Sequence, residues 1–178
     1  YATGAVWLIQ ENGAAATVTE LPNTRELIGS VRGLAVTPDG TLHILDGISS
    51  DPRGAGGTVW RVEPDGTLTD LGGIQHPSTA ANDVNRGFVS PKDIESDAQG
   101  NLYVTDRGWR EVWKYDAGTG EASFFWRPEG SDGAAVPTGL AFDRANNTLI
   151  VTDSEANTVY RVDVASGAKH RNGVDGDH

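Results

Sequence analysis

The sequence predicts an all-β protein that folds as part of a β-propeller, with three full four-stranded blades and the outer half of a fourth. First, a set of segments recurs in the same order at intervals of about 50 residues, which indicates a repeat architecture. Second, each segment is short and rich in β-branched and aromatic residues, as strands are. Third, Gly, Asp, Asn and Pro residues that form tight turns separate the segments. Four antiparallel strands repeated in this way make a propeller blade.

The repeat is clearest in its first complete copy, where the segments 33–36, 42–46 and 58–62 each predict a strand. Two further copies follow, and a fourth strand completes each unit. A match to the third segment also precedes them at 5–9, without the two inner strands of its own blade. The aromatic residue of this segment is predicted to pack between neighbouring blades, and it recurs at Trp7, Trp60, Trp113 and Tyr160.

The predicted organisation is a single propeller portion over residues 1–178. The half-blade is expected at about 4–21 and the blades at about 31–72, 91–127 and 137–172. Because this set of strands cannot close into a ring, we expect a second chain or a missing segment to complete it. A chain that begins at Tyr1, with neither Met nor an apolar signal core, is interpreted as processed or truncated. The expected location is secreted or periplasmic, with the cytoplasm left open.

Composition excludes several classes of function. The net charge is −11 and Lys and Arg form no cluster, which argues against binding to nucleic acid or to an anionic membrane. The sequence has no run of eighteen apolar residues, so no membrane-spanning helix is predicted. Cysteine is absent, which excludes disulfides and thiolate sites. The expected ligand is therefore a small molecule or a glycan.

The lengths of the connections predict which face carries the site. The turns between the first and second strands of each blade, and between the third and fourth, are tight. The other connections lie on the opposite face and include the long ones, 47–57, 72–90 and 128–136. Functional residues concentrate on such loops, so we expect the site on the long-connection face and none on the tight-turn face.

Two stretches carry a family resemblance. Pro-Thr-Gly-Leu-Ala-Phe at 137–142, with Val-Thr-Asp-Ser at 151–154 and the strand 158–163, resembles the senescence marker protein/gluconolactonase family. The middle unit, Lys-Asp-Ile-Glu at 92–95 with the strand 101–106, resembles an NHL repeat. Both resemblances imply six blades. The first also implies a lactonase- or esterase-like hydrolase, with a divalent cation such as calcium held at the ring axis by carboxylate and amide oxygens.

The residues that match the implied metal-ligand positions are Arg32, Lys92 and Thr138, each at the start of the first strand of a blade. Arg and Lys cannot bind a hard cation, and a Thr hydroxyl is a poor substitute for a carboxylate. Asp93, one residue later, and Asp83, in the longest connection, stay candidate ligands together with groups from missing blades. The usual ligand positions are therefore not matched in this chain.

The same positions suggest a second hypothesis. Arg32 and Lys92 would direct positive charge towards the axis and favour a ligand that carries a carboxylate or a phosphate. The alternative is that each cation pairs with a neighbouring Asp. The dipeptides Trp109-Arg110 and Trp126-Arg127, with Arg107 close to the first, suit sugars or planar ligands, unless these are ordinary surface aromatics.

Two histidines and a set of aspartates complete the candidates. His76 is interpreted as a base or ligand, or as an ordinary loop histidine, whereas His43 lies inside a strand and is interpreted as structural. The aspartates that end the second strand of each blade are predicted to cap backbone donors, because a catalytic residue is not needed once per blade. They are Asp46, Asp106 and Asp153. Two functions remain open: a small-molecule enzyme, and a non-catalytic propeller that binds a protein or glycan.

Overall fold

A computed structural model describes residues 5–20, 30–47, 57–72, 74, 87–128 and 136–171. The predicted site residues His76 and Asp83 lie outside these ranges. Within them, no helix is long and apolar enough to cross a membrane.

The described residues form fourteen strands, which confirms the predicted all-β class. Each strand follows the previous one along the chain through a turn or a connection. Their bounds are β1 Ala5–Ile9, β2 Ala15–Glu20, β3 Val31–Val36, β4 Leu42–Asp46, β5 Thr58–Val62, β6 Leu68–Asp70, β7 Pro91–Ser96, β8 Leu102–Asp106, β9 Glu111–Tyr115, β10 Ala122–Trp126, β11 Pro137–Asp143, β12 Thr148–Asp153, β13 Thr158–Asp163 and β14 Lys169–Arg171.

The strands pair in chain order into antiparallel sheets. Strands β1 and β2 form a two-stranded sheet, here called the half-blade. Three four-stranded sheets follow: blade 1 (β3 to β6), blade 2 (β7 to β10) and blade 3 (β11 to β14). Neighbouring blades contact each other mainly through their first strands, because β7 packs against both β3 and β11. These first strands therefore lie innermost, where the blades converge.

An apolar cluster lies between each pair of neighbouring sheets. Val6 of the half-blade packs with Ile44, Trp60 and Val62 of blade 1, and two larger clusters join blade 1 to blade 2 and blade 2 to blade 3. Burial of apolar surface between the sheets is the main force that holds blades together. The structure thus has one core for each pair of neighbouring blades.

The recurring aromatic residues lie in these clusters, as the sequence predicts. Trp60, Trp113 and Tyr160 are 7%, 2% and 1% exposed, each packed against the preceding sheet. Trp7, at the same position in the half-blade, is 58% exposed because no sheet precedes it among the described residues. The role of this position is therefore packing between blades.

The tight turns follow from their Asp and Gly residues. Gly40 and Gly100 have φ of +87°, a backbone conformation in which an L side chain is strained. Asp39 accepts a hydrogen bond from the N–H of Thr41 at 3.0 Å, and Asp97 accepts one from Gln99 at 2.9 Å. These local bonds hold the turn between the first and second strands of blades 1 and 2.

Candidate functional site

Each innermost strand begins with a β-bulge at the same place. The register shifts between Val31 and Gly33 in β3, between Pro91 and Asp93 in β7, and between Pro137 and Gly139 in β11. A bulge adds one residue, bends the strand and re-aims a side chain, and bulges are common beside active sites. The residues between these pairs are the ones that the repeat pattern makes equivalent: Arg32, Lys92 and Thr138.

The bulges lie at the end of the sheet where the second strand finishes. Asp46 pairs with Val31, Asp106 with Pro91 and Asp153 with Pro137. This end leads into the connections between the second and third strands of a blade and between successive blades, so it lies on the long-connection face. We call Arg32, Lys92 and Thr138 in this setting the bulge site.

The aspartates at this end hold the backbone, as predicted. Asp46 accepts the N–H of Ser30 at 2.8 Å. Asp106 accepts four backbone N–H groups, those of Val89 at 2.7 Å, Ser90 at 3.1 Å, Gly108 at 2.7 Å and Trp109 at 3.1 Å. Asp153 accepts those of Glu155 at 3.0 Å and Ala156 at 2.7 Å. Their carboxylates fix the chain around the bulges.

Burial dominates the ionisation of Asp106. Its side chain has no exposed surface, and this burial raises the pKa of its carboxyl, although four backbone N–H groups act in the opposite direction. Asp106 therefore holds several backbone groups and has a raised pKa, although its side chain has no access to solvent. The shift at Asp106 is structural and does not mark a catalytic acid.

The two cations of the bulge site have no carboxylate partner among the residues that the structure describes. Within the described residues, no ion pair involves Arg32 or Lys92. Arg32 is exposed, and its side chain lies over Gly47, where a Cβ would come within 2.5 Å of the Arg32 Nε. Lys92 is half-buried. The alternative in which each cation pairs with an Asp has no support in the described part of the chain.

Asp93 links two blades. Its Oδ2 accepts the N–H of Leu140 in blade 3 at 2.8 Å, and its Oδ1 accepts the N–H of Ile94 at 2.9 Å. Gly33 of blade 1 lies on the other side, where an added Cβ would sit 3.3 Å from Oδ1. Both oxygens of Asp93 are thus engaged by the backbone of inner strands.

The described residues do not fit the divalent cation that the family resemblance implies. The bulge site offers two cations and one hydroxyl, and the Thr138 Oγ1 already lies 3.3 Å from the carbonyl oxygen of Thr152. A hard cation requires several oxygen ligands, usually with carboxylates among them. Among the residues that the structure describes, no group of three or more His, Asp or Glu side chains could hold a metal ion.

Two threonines that the sequence analysis did not single out stabilise the bulges. Thr105 Oγ1 accepts the N–H of Asp93 at 3.1 Å and donates to the carbonyl of Thr138 at 2.8 Å, which connects blades 2 and 3. Thr152 Oγ1 accepts the N–H of Gly139 at 2.9 Å. The signal was present as the repeated Val-Thr-Asp at 104–106 and 151–153.

Arg107 and Trp109 both have partners within the protein. The Arg107 guanidinium lies 3.4 Å from a carboxylate oxygen of Glu155 in blade 3, and both side chains are largely exposed. Trp109 packs against the cluster between blades 1 and 2, and its Nε1 donates to the carbonyl of Gly87 at 3.2 Å. Trp109 thus anchors the connection that leads to β7, and a ligand-binding role for either residue stays a prediction.

The ligand-facing interpretation of Trp126 is wrong. Trp126 is 5% exposed and packs in the cluster between blades 2 and 3, with its ring centroid 5.2 Å from that of Tyr160. A residue adjacent to Arg127 in sequence looks like a surface aromatic, but the strand β10 turns its ring inward.

The tight-turn face, on which the sequence predicts no site, carries a cleft. A cleft of about 840 Å³ opens between the tight turns of blades 1 and 2. Its walls include Asp39 and His43 of blade 1, and Gln99 and Tyr115 of blade 2. The bulge site is therefore not the one place at which a ligand could bind.

Comparison with solved structures agrees with this geometry. The chain has the β-propeller fold. It is similar to a chain in the crystal structure of a nidogen/laminin complex, with a TM-score of 0.65 and 17% identity. The match covers 98% of this chain and 60% of that chain. The chain is also similar to virginiamycin B lyase from Staphylococcus aureus (TM-score 0.62, 14% identity, 97% and 50%). A protein described as a candidate gluconolactonase matches too (TM-score 0.62, 18% identity, 95% and 55%).

These matches agree with the propeller fold that the sequence predicts. At identities below one fifth, they establish the fold alone. The chain spans about half the length of the structures it matches first. No family model and no curated protein matches the sequence.

Proposed function

We propose that this chain contributes to a small-molecule-binding β-propeller whose ligand binds at the bulge site and carries a carboxylate or a phosphate. One observation carries the proposal: equivalent bulges in three neighbouring inner strands place two cations, Arg32 and Lys92, that have no ion pair within the described residues. Positively charged side chains attract an anionic group, and charge-assisted hydrogen bonds to carboxylate or phosphate are among the strongest in proteins.

The surroundings of the bulge site suit binding. The inner strands are tied to one another by Asp93 and Thr105, and the second strands are tied to the connections by buried aspartates such as Asp106. Little conformational freedom is then lost when a ligand binds, because the backbone that carries the cations is already ordered. A preorganised cationic site favours affinity for anions.

If the chain belongs to an enzyme, the proposed reaction at this site is hydrolysis of a lactone or an ester. Among known propellers, a candidate gluconolactonase and a lyase resemble this chain in fold. Such a reaction needs a base or a bound hydroxide, and the carboxylates of Asp93 and Asp106 are engaged by backbone N–H groups. The base would have to come from elsewhere, with His76 and Asp83 in the longest connection as the candidates of this chain.

A second chain or a further segment is the proposed partner that completes the ring. Trp60 and Trp113 are buried by the sheet that precedes them, whereas Trp7 is 58% exposed. Leu34 and Val36 of β3, next to the half-blade, are 46% and 54% exposed. These apolar surfaces are those that further strands would cover in a closed ring.

The alternative function is a non-catalytic propeller that binds a protein or a glycan. The fold match to a nidogen/laminin complex, over 98% of this chain, favours it as a second candidate. Under this alternative, the charge of the bulge site would have no role in capturing a small anion.

Calorimetric titration with D-gluconate tests the proposal. D-Glucose serves as the neutral match and inorganic phosphate as a second anion. We expect gluconate to bind and glucose to bind far more weakly. Lys92→Ala and Arg32→Ala should each weaken gluconate binding by about tenfold, the effect of losing roughly 1.4 kcal/mol from a charge-assisted contact.

Two controls make the outcome decisive. Arg144→Ala removes a cation from a tight turn of blade 3, on the other face, and should leave affinity unchanged. Lys92→Arg should keep most of the affinity because it keeps the charge. Equal binding of gluconate and glucose, or unchanged affinity in both alanine variants, would reject an anion site at the bulges.

A further inference from the structure

The cleft on the tight-turn face has the size and shape of a ligand site. It measures about 840 Å³ and lies between blades 1 and 2, and we call it the turn-face cleft. Small-molecule sites are commonly clefts of roughly 300 to 1,000 Å³. Blade 1 contributes Asp39, His43 and Glu63 to its walls, and blade 2 contributes Leu102 and Asp116.

The equivalent space between blades 2 and 3 is filled, which shows that the cleft is not a general property of the blades. Tyr103 occupies in β8 the position that His43 occupies in β4: each pairs with the first and third strands of its own blade. Tyr103 has no exposed surface, and its hydroxyl donates to Asp97 at 3.0 Å. Its ring also packs edge-on against Phe125, with centroids 4.9 Å apart.

Blade 1 lacks both of these space-filling features. His43 has a smaller side chain than Tyr103. Phe125 is the extra residue of a bulge in β10, between Phe124 and Trp126, whereas β6 pairs with β5 without a register shift. The space between blades 1 and 2 therefore stays open through two differences from the neighbouring pair.

His43 also leaves a polar atom without a partner in the wall of the cleft. The residue is 6% exposed, and its Nδ1 has no hydrogen-bond partner. A buried polar atom without a partner costs free energy. Burial lowers the pKa of His43, so the ring is neutral at neutral pH and can accept or donate one hydrogen bond to a ligand.

The charges of the cleft are mainly negative. Three carboxylates line it, those of Asp39, Glu63 and Asp116. The cation that lines it is Arg61, which is paired with Glu63 at 2.7 Å. Hydrogen bonds, first of all from Thr37, hold the pKa of Asp39 at about 2, so this carboxylate is ionised at neutral pH. Asp116 also lies 3.9 Å from the Nζ of Lys114, which is not among the lining residues. With His43 neutral, the lining itself carries three negative charges and one positive charge.

The remaining walls combine apolar side chains with the polar side chains of Thr37, Thr41 and Gln99. Leu42 and Val62 of blade 1 and Leu102 of blade 2 line the cleft together with Pro38 and Pro64. A ligand that fits must therefore offer an apolar body as well as a positive group. Small organic amines combine these two properties.

We propose that the turn-face cleft binds a small organic cation, an amine with an apolar body. The ammonium group interacts with the carboxylates of Asp39, Glu63 and Asp116, and the body lies against Leu42 and Leu102. The His43 ring makes the remaining polar contact. This site is independent of the bulge site, because it lies on the opposite face and selects the opposite charge.

Titration of the ¹⁵N-labelled chain with benzylamine, followed by NMR, tests this inference. Benzyl alcohol and benzoate are the neutral and anionic probes of matched shape. We expect benzylamine to bind at least tenfold more tightly than either, and to shift the amide signals of Gly40, Gly100 and Gly120 in the turns around the cleft. Equal binding of benzyl alcohol, tighter binding of benzoate, or no binding of benzylamine overturns the proposal.

Two variants and a matched control locate the binding. His43→Tyr introduces the side chain that fills the neighbouring space and should abolish benzylamine binding. Glu63→Gln removes one negative charge and should weaken binding by about threefold to tenfold. Glu155→Gln removes an exposed carboxylate from the other face and should change nothing.

The variants also distinguish the cleft from general attraction to an acidic protein. An equal loss of affinity in Glu155→Gln and Glu63→Gln would show that net charge alone attracts the amine, and would reject the site. If His43→Tyr does not fold, the comparison of Glu63→Gln with Glu155→Gln still shows whether benzylamine binds in the cleft. Lys92→Ala, on the opposite face, should leave benzylamine affinity unchanged, and failure of gluconate binding would leave this result unaffected.

Discussion

The buried carboxylate of Asp106 accepts hydrogen bonds from four backbone N–H groups and has no access to solvent. Such a residue looks catalytic when it is considered alone, because its environment perturbs its pKa. Its recurrence as Asp46 and Asp153 indicates the opposite, since every blade needs the same connection held in place. At the scale of the residue, repetition along the chain separates structural carboxylates from functional ones.

Asp106→Ala should therefore destabilise the protein strongly. The substitution leaves four backbone donors with no carboxylate to accept them, and we expect a loss of about 3 kcal/mol in the free energy of unfolding. Urea denaturation followed by far-UV circular dichroism measures it. Asp65→Ala is the matched control, because exposed Asp65 accepts the N–H of Thr67 within a tight turn and its loss should cost less than about 1 kcal/mol. Similar losses in both variants would contradict this account of Asp106.

The residues that differ between equivalent positions carry the functional proposals. The bulge position holds Arg, Lys and Thr in successive blades, and the position of His43 holds Tyr in blade 2. The sequence predicted the first set, because the repeat aligned Arg32 with Lys92. It missed the second, because the open space beside His43 arises where β6 lacks a bulge like the one that places Phe125 in β10. The hydrophobic pattern of the sequence does not show which of these strands has a bulge.

At the scale of the strand, sequence pattern located the middle of each blade accurately. The second strands of blades 1 and 2, Leu42–Asp46 and Leu102–Asp106, have the predicted bounds. The first strand of blade 1 instead begins at Val31, two residues before the start predicted at Gly33. The bulge in this strand is the physical reason, because an extra residue breaks the alternation from which strands are predicted.

Thr105→Val tests whether hydroxyl groups hold the bulges. Valine has nearly the same shape but leaves the N–H of Asp93 and the carbonyl of Thr138 without their bonds to Oγ1. Thr105 is fully buried, so we expect a loss of about 1 to 3 kcal/mol in the free energy of unfolding. Chemical denaturation checks this.

Thr152→Val is the matched variant in blade 3. Thr152 makes the same bond to the backbone of β11, to the N–H of Gly139, but it is exposed. Water can replace the lost hydroxyl there, so the effect should be smaller than that of Thr105→Val. The reverse order of stabilities would show that the bulges do not depend on the buried hydroxyl.

At the scale of the whole molecule, burial is uneven along the array of blades. The clusters between described sheets bury their aromatic residues almost completely, while the half-blade exposes Trp7 and Ile9 by 58% and 63%. The sequence predicted this incompleteness by counting strands. It could not predict how far these side chains are exposed, because exposure depends on how the sheets pack, which the repeat pattern does not give.

The exposed edge beside β3 should make this 178-residue chain associate with itself. Trp7 of the half-blade and Leu34 of β3 present apolar side chains that a neighbouring sheet would bury, and contiguous apolar surface of this kind drives association in water. Sedimentation velocity should show a mass that rises with protein concentration. The double variant Trp7→Lys with Leu34→Lys should move the chain towards the monomer, because charge at an unpaired sheet face opposes such contacts. Val89→Lys is the control, since Val89 is 57% exposed but lies on the connection to blade 2 rather than at this edge. If the chain is monomeric at all concentrations, or if Val89→Lys reduces association as much as the double variant does, these surfaces do not drive the association.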